Sequence, residues 1–225
     1  MSKAHTLSLP PSEGAGESAT LMSSVPLFVH DPAANLLPCD GTVNYHGRIL
    51  SPDDAELYSE RLLNCIPWKN DEAVIFGRHI VTARKVAWYG DAGYSYTYSG
   101  KTKQALAWTG ELLAPKSIVE KVTGAAFNSC LLNLYHNGNE GMAWHSDDEK
   151  SLGLNSAIAS LSLGAERRFC LRHKRTREDV SIVLESGSLL VMKGATQANW
   201  LHSLPKSKKI KTHRINLTFR TMVSR

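Results

Sequence analysis

Residues 214–220 read Arg-Ile-Asn-Leu-Thr-Phe-Arg, and this short run constrains the fold more than any other segment. Alternation sends Ile215, Leu217 and Phe219 to one side of a strand and Arg214, Asn216, Thr218 and Arg220 to the other. The apolar side needs a core. The opposite side carries two guanidinium groups, and a central strand aiming both inward is costly unless anions meet them. A small dicarboxylate suits that role, because a guanidinium grips a carboxylate through two parallel hydrogen bonds.

A second pattern precedes this strand. Trp144-His145-Ser146-Asp147 places an imidazole and a carboxylate two residues apart, on one side of an extended segment. His202, in Asn199-Trp200-Leu201-His202, supplies a third ligand. A lone H-x-D, or a lone histidine beside a tryptophan, is common by chance. Their succession in chain order, with the arginine strand close behind, gives the pattern weight. Two imidazoles and one carboxylate on one face of an octahedron leave positions open, the arrangement that suits non-haem Fe(II) oxygenases.

The rest of the chain is compatible with one domain. Its 225 residues, 42% hydrophobic, suffice for a sizeable core. The sequence predicts a helix from Pro52 to about Cys65, capped by Ser51, and a second around Pro115 to Thr123. Short strands are predicted at Leu131–Tyr135, Ala157–Leu163, Arg168–Arg172, Ser181–Glu185, Ser188–Met192 and Arg214–Met222. Glycine-bearing turns separate them, which favours an antiparallel double-sheet roll. The first 20 or so residues are small, polar and turn-forming, and read as a flexible tail without targeting features. No apolar run is long enough to span a bilayer. Cys39, Cys65, Cys130 and Cys170 lack C-x-x-C spacing and read as reduced thiols packed as small apolar residues. The net charge of +5 is modest. It is concentrated in Arg167–Arg177 and Lys206–Lys211, two blocks of the kind that meet phosphates.

At these residues the chain resembles the AlkB family of iron- and 2-oxoglutarate-dependent dioxygenases. The resemblance runs from about Gly47 onward and includes Asn133-Leu134-Tyr135, Arg84-Lys85 and the tyrosine-rich stretch Tyr89–Gly100. It is read as closest to the members that repair duplex DNA, the human homologue number two among them. It implies an α+β, mainly β fold: a double-stranded β-helix, or jelly-roll, barrel with the metal at its open mouth, with supporting N-terminal helices and a nucleotide-recognition lid. The implied organisation is a flexible tail over residues 1–40 and a dioxygenase domain over 41–225, with the lid at about 74–110 and the barrel at about 128–223.

The resemblance also implies roles. His145, Asp147 and His202 would hold Fe(II), and Arg214 would pair with the distal carboxylate of 2-oxoglutarate. Asn133, Tyr135 and Asn216 would hydrogen-bond the co-substrate, and Arg220 would act near the metal-bound end and Asp147. With O2, the reaction would hydroxylate the N-alkyl carbon of N1-methyladenine or N3-methylcytosine, releasing aldehyde, succinate and CO2. Tyr98 would stack on the flipped base, with Arg84, Tyr96, Ser99 and Glu149 also on the substrate side, and Phe76 would wedge into the vacated stack. The implied partner is alkylated, double-stranded DNA, met by a monomer inside the cell, in the cytoplasm of a bacterium or the nucleus of a eukaryote. A same-family dioxygenase acting on RNA or protein, and a non-catalytic nucleic-acid-binding barrel, are the alternatives.

Overall fold

The computed structural model describes residues 31–75, 78–92, 95–98, 101–147, 151–153 and 155–223. The chain runs β1 (Thr42–Arg48), α1 (Pro52–Cys65), β2 (Lys69–Ile75), β3 (Arg78–Gly90), β4 (Ser95–Tyr98), β5 (Lys101–Gln104) and α2 (Gly110–Thr123). It continues through β6 (Ser129–Tyr135), β7 (Met142–His145), β8 (Ile158–Gly164), β9 (Arg167–His173), β10 (Asp179–Leu184) and β11 (Ser188–Lys193). A single turn, α3 (Thr196–Asn199), leads to β12 (Trp200–Leu204) and β13 (Arg214–Arg220).

Helix α1 starts as its sequence dictates. The Ser51 hydroxyl accepts from the Asp54 N–H at 3.1 Å, and Pro52 occupies the first turn, where its missing N–H costs nothing. Helix α2 begins at Gly110, five residues before the predicted Pro115, which lies inside it. Proline fits helical φ but cannot donate back to the Glu111 carbonyl. The helix tolerates that loss and ends on Gly124 at φ 68°, in the left-handed region.

Two antiparallel sheets carry the fold. The major sheet has the order β1-β11-β8-β13-β6-β3-β2, and the minor sheet β10-β9-β12-β7. The β4–β5 hairpin forms a separate two-stranded sheet. The expected closed barrel is therefore corrected: neither sheet closes on itself or curls strongly. Closure requires hydrogen bonds between edge strands, and among the described residues none joins β1 to β2 or β7 to β10. Side chains, not a continuous ladder, join the two layers.

Strand β13 lies fourth of seven, between β6 and β8. Its apolar side joins the core under α1 and α2, where Ile215, Leu217 and Phe219 pack with Leu132, Leu134, Leu161 and Leu62. A second core fills the space between the sheets, with Tyr135, Leu190 and Met192 from the major sheet and Phe169, Leu171 and Trp200 from the minor. Gly164, at the end of β8, has φ 80°, and a Cβ there would stand 2.5 Å from the His213 carbonyl oxygen. Only glycine permits that approach. All four cysteines are unpaired; Cys130 and Cys170 are buried as predicted, whereas Cys39 and Cys65 are exposed. No helix among the described residues is long and apolar enough to cross a membrane.

Candidate metal and co-substrate site

The polar side of β13 faces the minor sheet and is buried. Register places Arg214 opposite Tyr135 and Asn216 opposite Asn133, so the residues predicted to bind a co-substrate share one wall. Ser160 and Ser162 extend it from β8. Within this wall the Arg214 guanidinium donates to Ser162 Oγ and to Asn216 Oδ1, each at 2.9 Å. Asn216 also accepts from Ser160 at 2.8 Å and donates to Thr218 at 2.7 Å.

Arg214 is 3% exposed, and no carboxylate pairs with it among the described residues. Burial pushes its pKa down to about 10, offset only in part by Tyr135, with Arg167 lowering it further. Its Nε has no hydrogen-bond partner among the described residues. A guanidinium held this way is an anion site in need of an anion.

The minor sheet contributes the ligand triad. His202 on β12 pairs with His145 on β7, and Leu204 pairs with Met142, with a register shift between the two pairs. That irregularity has a purpose, since His145 and Met142 are an odd number of residues apart and would otherwise point to opposite sides. The His145 and His202 rings lie 4.2 Å apart, and His145 Nε2 is 3.9 Å from Asp147 Oδ1. Ligand atoms of His145, Asp147 and His202 all fall within 4.8 Å of one another, a spread that one ion can bridge.

The protonation states suit a cation. His145 Nδ1 donates to the Ala143 carbonyl at 2.8 Å, which leaves Nε2 with its lone pair toward the triad. Burial pushes His202 down to about 4, despite Asp147, so the ring is neutral. Burial alone would raise Asp147. The Arg220 guanidinium more than offsets this and holds the carboxyl below its usual range. Arg220 donates to Oδ2 at 2.8 Å, and the Asp147 N–H donates to Gln197 Oε1 at 2.8 Å.

Cys39, Asp40 and His173 form a second group with metal-ligating atoms in the same spread. There His173 Nδ1 accepts the Thr176 N–H at 3.0 Å, which leaves the ring proton on Nε2, 3.2 Å from Asp40 but not aligned for a hydrogen bond to it. A neutral ring in that tautomer offers no lone pair to an ion, so the His145 group is the better donor set.

Arg84, predicted on the substrate side, is buried against the co-substrate wall, bonded to Asn133 and to Asp71. Arg167, counted in the sequence among phosphate-facing residues, is 1% exposed and donates to the Glu140 and Pro205 carbonyls, each at 2.8 Å. Alternation with Phe169 and Leu171 marked it as inward-facing. Arg168, Arg175, Arg177, Lys206, Lys208, Lys209 and Lys211 are exposed. Gln197 and Ser162 were not singled out, and nothing in their spacing marks them. Phe76, Ser99 and Glu149 lie outside the described residues; Tyr96 and Tyr98 lie on β4.

Residues 42–220 match the 2OG-Fe(II) oxygenase superfamily. The alpha-ketoglutarate-dependent dioxygenase alkB homolog 3 of Bos taurus is 43% identical over 179 residues, covering 75% of this chain and 62% of that protein. The DNA oxidative demethylase ALKBH2 of Bos taurus is also 43% identical, over 157 residues, covering 66% of this chain and 56% of that protein. The chain thus spans about three fifths of the length of these relatives. The solved structure of OsALKBH1 superposes with a TM-score of 0.59 at 19% identity, over 82% of this chain and 99% of that one, a likeness of fold. The chain belongs to the 2OG-Fe(II) oxygenase superfamily and, within it, to the AlkB-type dioxygenases. The expected kinship with the duplex-repair homologue is corrected to a broader one, because homologue-two and homologue-three relatives match with equal identity.

Proposed function

We propose that this protein is an Fe(II)- and 2-oxoglutarate-dependent dioxygenase that removes alkyl groups from N1-methyladenine and N3-methylcytosine in DNA. The observation that carries this reading is the buried Arg214 guanidinium, without a carboxylate partner among the described residues, on the same wall as Arg220 and its Asp147 partner. One side of the inter-sheet space offers three metal ligands and the other a cation for a dicarboxylate.

His145 Nε2, Asp147 Oδ1 and His202 would hold the iron, which supplies the oxidising chemistry when O2 and 2-oxoglutarate are bound. Arg214 neutralises the distal carboxylate, while Asn133, Tyr135 and Asn216 fix its orientation. Arg220 holds the Asp147 carboxylate so that one oxygen stays free for the ion. Each turnover consumes one 2-oxoglutarate and one O2, giving succinate, CO2 and a hydroxylated N-alkyl carbon. The resulting hemiaminal loses aldehyde and leaves the restored base. The names of the alkB homolog 3 and ALKBH2 relatives support the dioxygenase reading, and the ALKBH2 name supports DNA as substrate. The exposed lysines and arginines around 168–177 and 206–211 fit a phosphate backbone.

The test is succinate and aldehyde release with methylated oligonucleotides presented as duplex DNA, single-stranded DNA and RNA at matched salt. Iron- and 2-oxoglutarate-dependent release on DNA is expected. Turnover confined to RNA would replace the DNA reading, and no turnover on any of the three would remove it.

A further inference from the structure

Arg84 is 7% exposed, and its guanidinium is bonded to Asn133, a residue predicted to bind the co-substrate. On β3, Lys85 pairs with Leu134 and Val86 with Asn133, which brings Arg84 level with Tyr135 on the inter-sheet side. Its Nη1 donates to Asn133 Oδ1 at 3.0 Å and lies 3.0 Å from Met142 Sδ. Its Nη2 pairs with the Asp71 carboxylate, contributed by β2. The guanidinium carbon lies 6.0 Å from the centre of the Tyr135 ring, and that of Arg214 lies 5.6 Å from the same ring. Three arginines surround one phenol, Arg167 being the third at 5.8 Å, and of the three only Arg84 pairs with a carboxylate among the described residues.

Chemistry separates the roles of Arg84 and Arg214. An asparagine amide has an accepting end and a donating end, and a guanidinium only donates. Arg84 therefore claims Asn133 Oδ1 and leaves the Asn133 NH2 as the end free for a carboxylate. Without Arg84 the amide could turn its oxygen toward the anion and repel it. Asp71 keeps the guanidinium in place and cancels its charge, so that Arg84 does not compete with Arg214 for the same ligand. We propose that Arg84, clamped by Asp71, is a positioning residue for 2-oxoglutarate: it orients the Asn133 amide instead of contacting the nucleic acid. This inference rests on the dioxygenase reading above.

The experiment measures 2-oxoglutarate binding directly, by calorimetry on the full chain with Mn(II) in place of Fe(II), and methylated-oligonucleotide binding in parallel. Loss of one hydrogen bond to a charged group weakens binding by roughly tenfold to a hundredfold. Arg84→Met is expected to weaken 2-oxoglutarate by that order and to leave Mn(II) and oligonucleotide affinities near wild type. Arg84→Lys should recover part of the loss. Asp71→Asn, a same-size change at a partly exposed position, should weaken 2-oxoglutarate in the same direction and keeps the test open if Arg84 variants do not fold. In a double-mutant cycle, Asn133→Ser should add little to Arg84→Met, since both act through one amide. Unchanged 2-oxoglutarate affinity with weakened oligonucleotide affinity would overturn the inference and return Arg84 to the substrate side. Wild-type protein that fails to bind 2-oxoglutarate would remove the dioxygenase reading itself, a distinguishable result.

Discussion

Arg220 and Asp147, 73 residues apart in the chain, are joined by a 2.8 Å hydrogen bond that ties the major sheet to the segment leaving β7. The bond occupies Oδ2 and leaves Oδ1 on the His145 side, 3.9 Å from Nε2. Partners of this kind fix ligand orientation, and their loss typically costs about 10- to 100-fold in metal affinity. Arg220→Met is expected to weaken Mn(II) or Fe(II) binding by that order, read by metal titration. Undiminished metal affinity would make Arg220 a purely structural ion-pair partner.

Replacing His145, Asp147 or His202 by alanine removes one of three protein ligands. Each variant should lose iron-dependent succinate release, and each should bind metal far more weakly than wild type in the same titration. Retained iron-dependent turnover in all three would move the metal elsewhere, with Cys39, Asp40 and His173 the next group to test.

Arg214→Ala should raise the 2-oxoglutarate requirement steeply. Breaking a buried charge pair costs about 3–5 kcal/mol, equivalent to about two to four orders of magnitude in affinity. Metal binding should be nearly unaffected, so the two titrations separate the sheets' contributions. An unchanged 2-oxoglutarate affinity would leave Arg214 as a structural cation in the Ser162–Asn216 network.

Glu120 provides a stability test outside the site. Burial raises its pKa, but the hydrogen bond from Lys116 and that from the Phe127 N–H, both 2.8 Å, outweigh it and hold the carboxyl below its usual range. A folded-state pKa below the unfolded one gives stability that is full above about pH 4.5 and vanishes as pH falls through the folded value. Glu120→Gln should therefore cost about 1 kcal/mol at pH 7, the pair being partly solvated. The difference from wild type in denaturant midpoints should shrink below about pH 4. A gap that stays constant from pH 7 to 3 would contradict the charge-based account.

Gly164→Ala would set a Cβ 2.5 Å from the His213 carbonyl oxygen in a residue at φ 80°. Backbone, not a flexible side-chain end, would have to yield. The expected loss is about 1–3 kcal/mol in chemical denaturation, with displacement of Arg214 and hence weaker 2-oxoglutarate binding. A variant as stable as wild type would show that the β8 end relaxes freely.

Much of the site could be read from residue order. The alternation in 214–220 fixed which side of β13 carries the arginines, and the H-x-D spacing marked the shared direction of His145 and Asp147. Helix α1 was legible because Ser51-Pro52 is a strong start signal, whereas Pro115 was mistaken for one although it lies inside α2. Closure into a barrel came from resemblance and was not encoded in any local pattern; whether edges pair depends on strands far apart in sequence. The inward turn of Met142 together with His145 was equally hidden, because it depends on an irregularity in β12 pairing. Arg167 read as a phosphate-facing charge by type, although its alternation with Phe169 and Leu171 points inward, and Arg84 was placed on the substrate side by resemblance, its bonds to Asn133 and Asp71 being visible only across the strands.

Among the described residues no strand pairing joins the two layers, yet the candidate ligand groups are divided between them: His145 and His202 on one, Arg214 and Arg220 on the other. A metal and a dicarboxylate bound together would act as a bolt through the stack. Each should raise the melting temperature, and the pair should raise it more than the sum of the two alone, because the first to bind has already drawn the layers into register for the second.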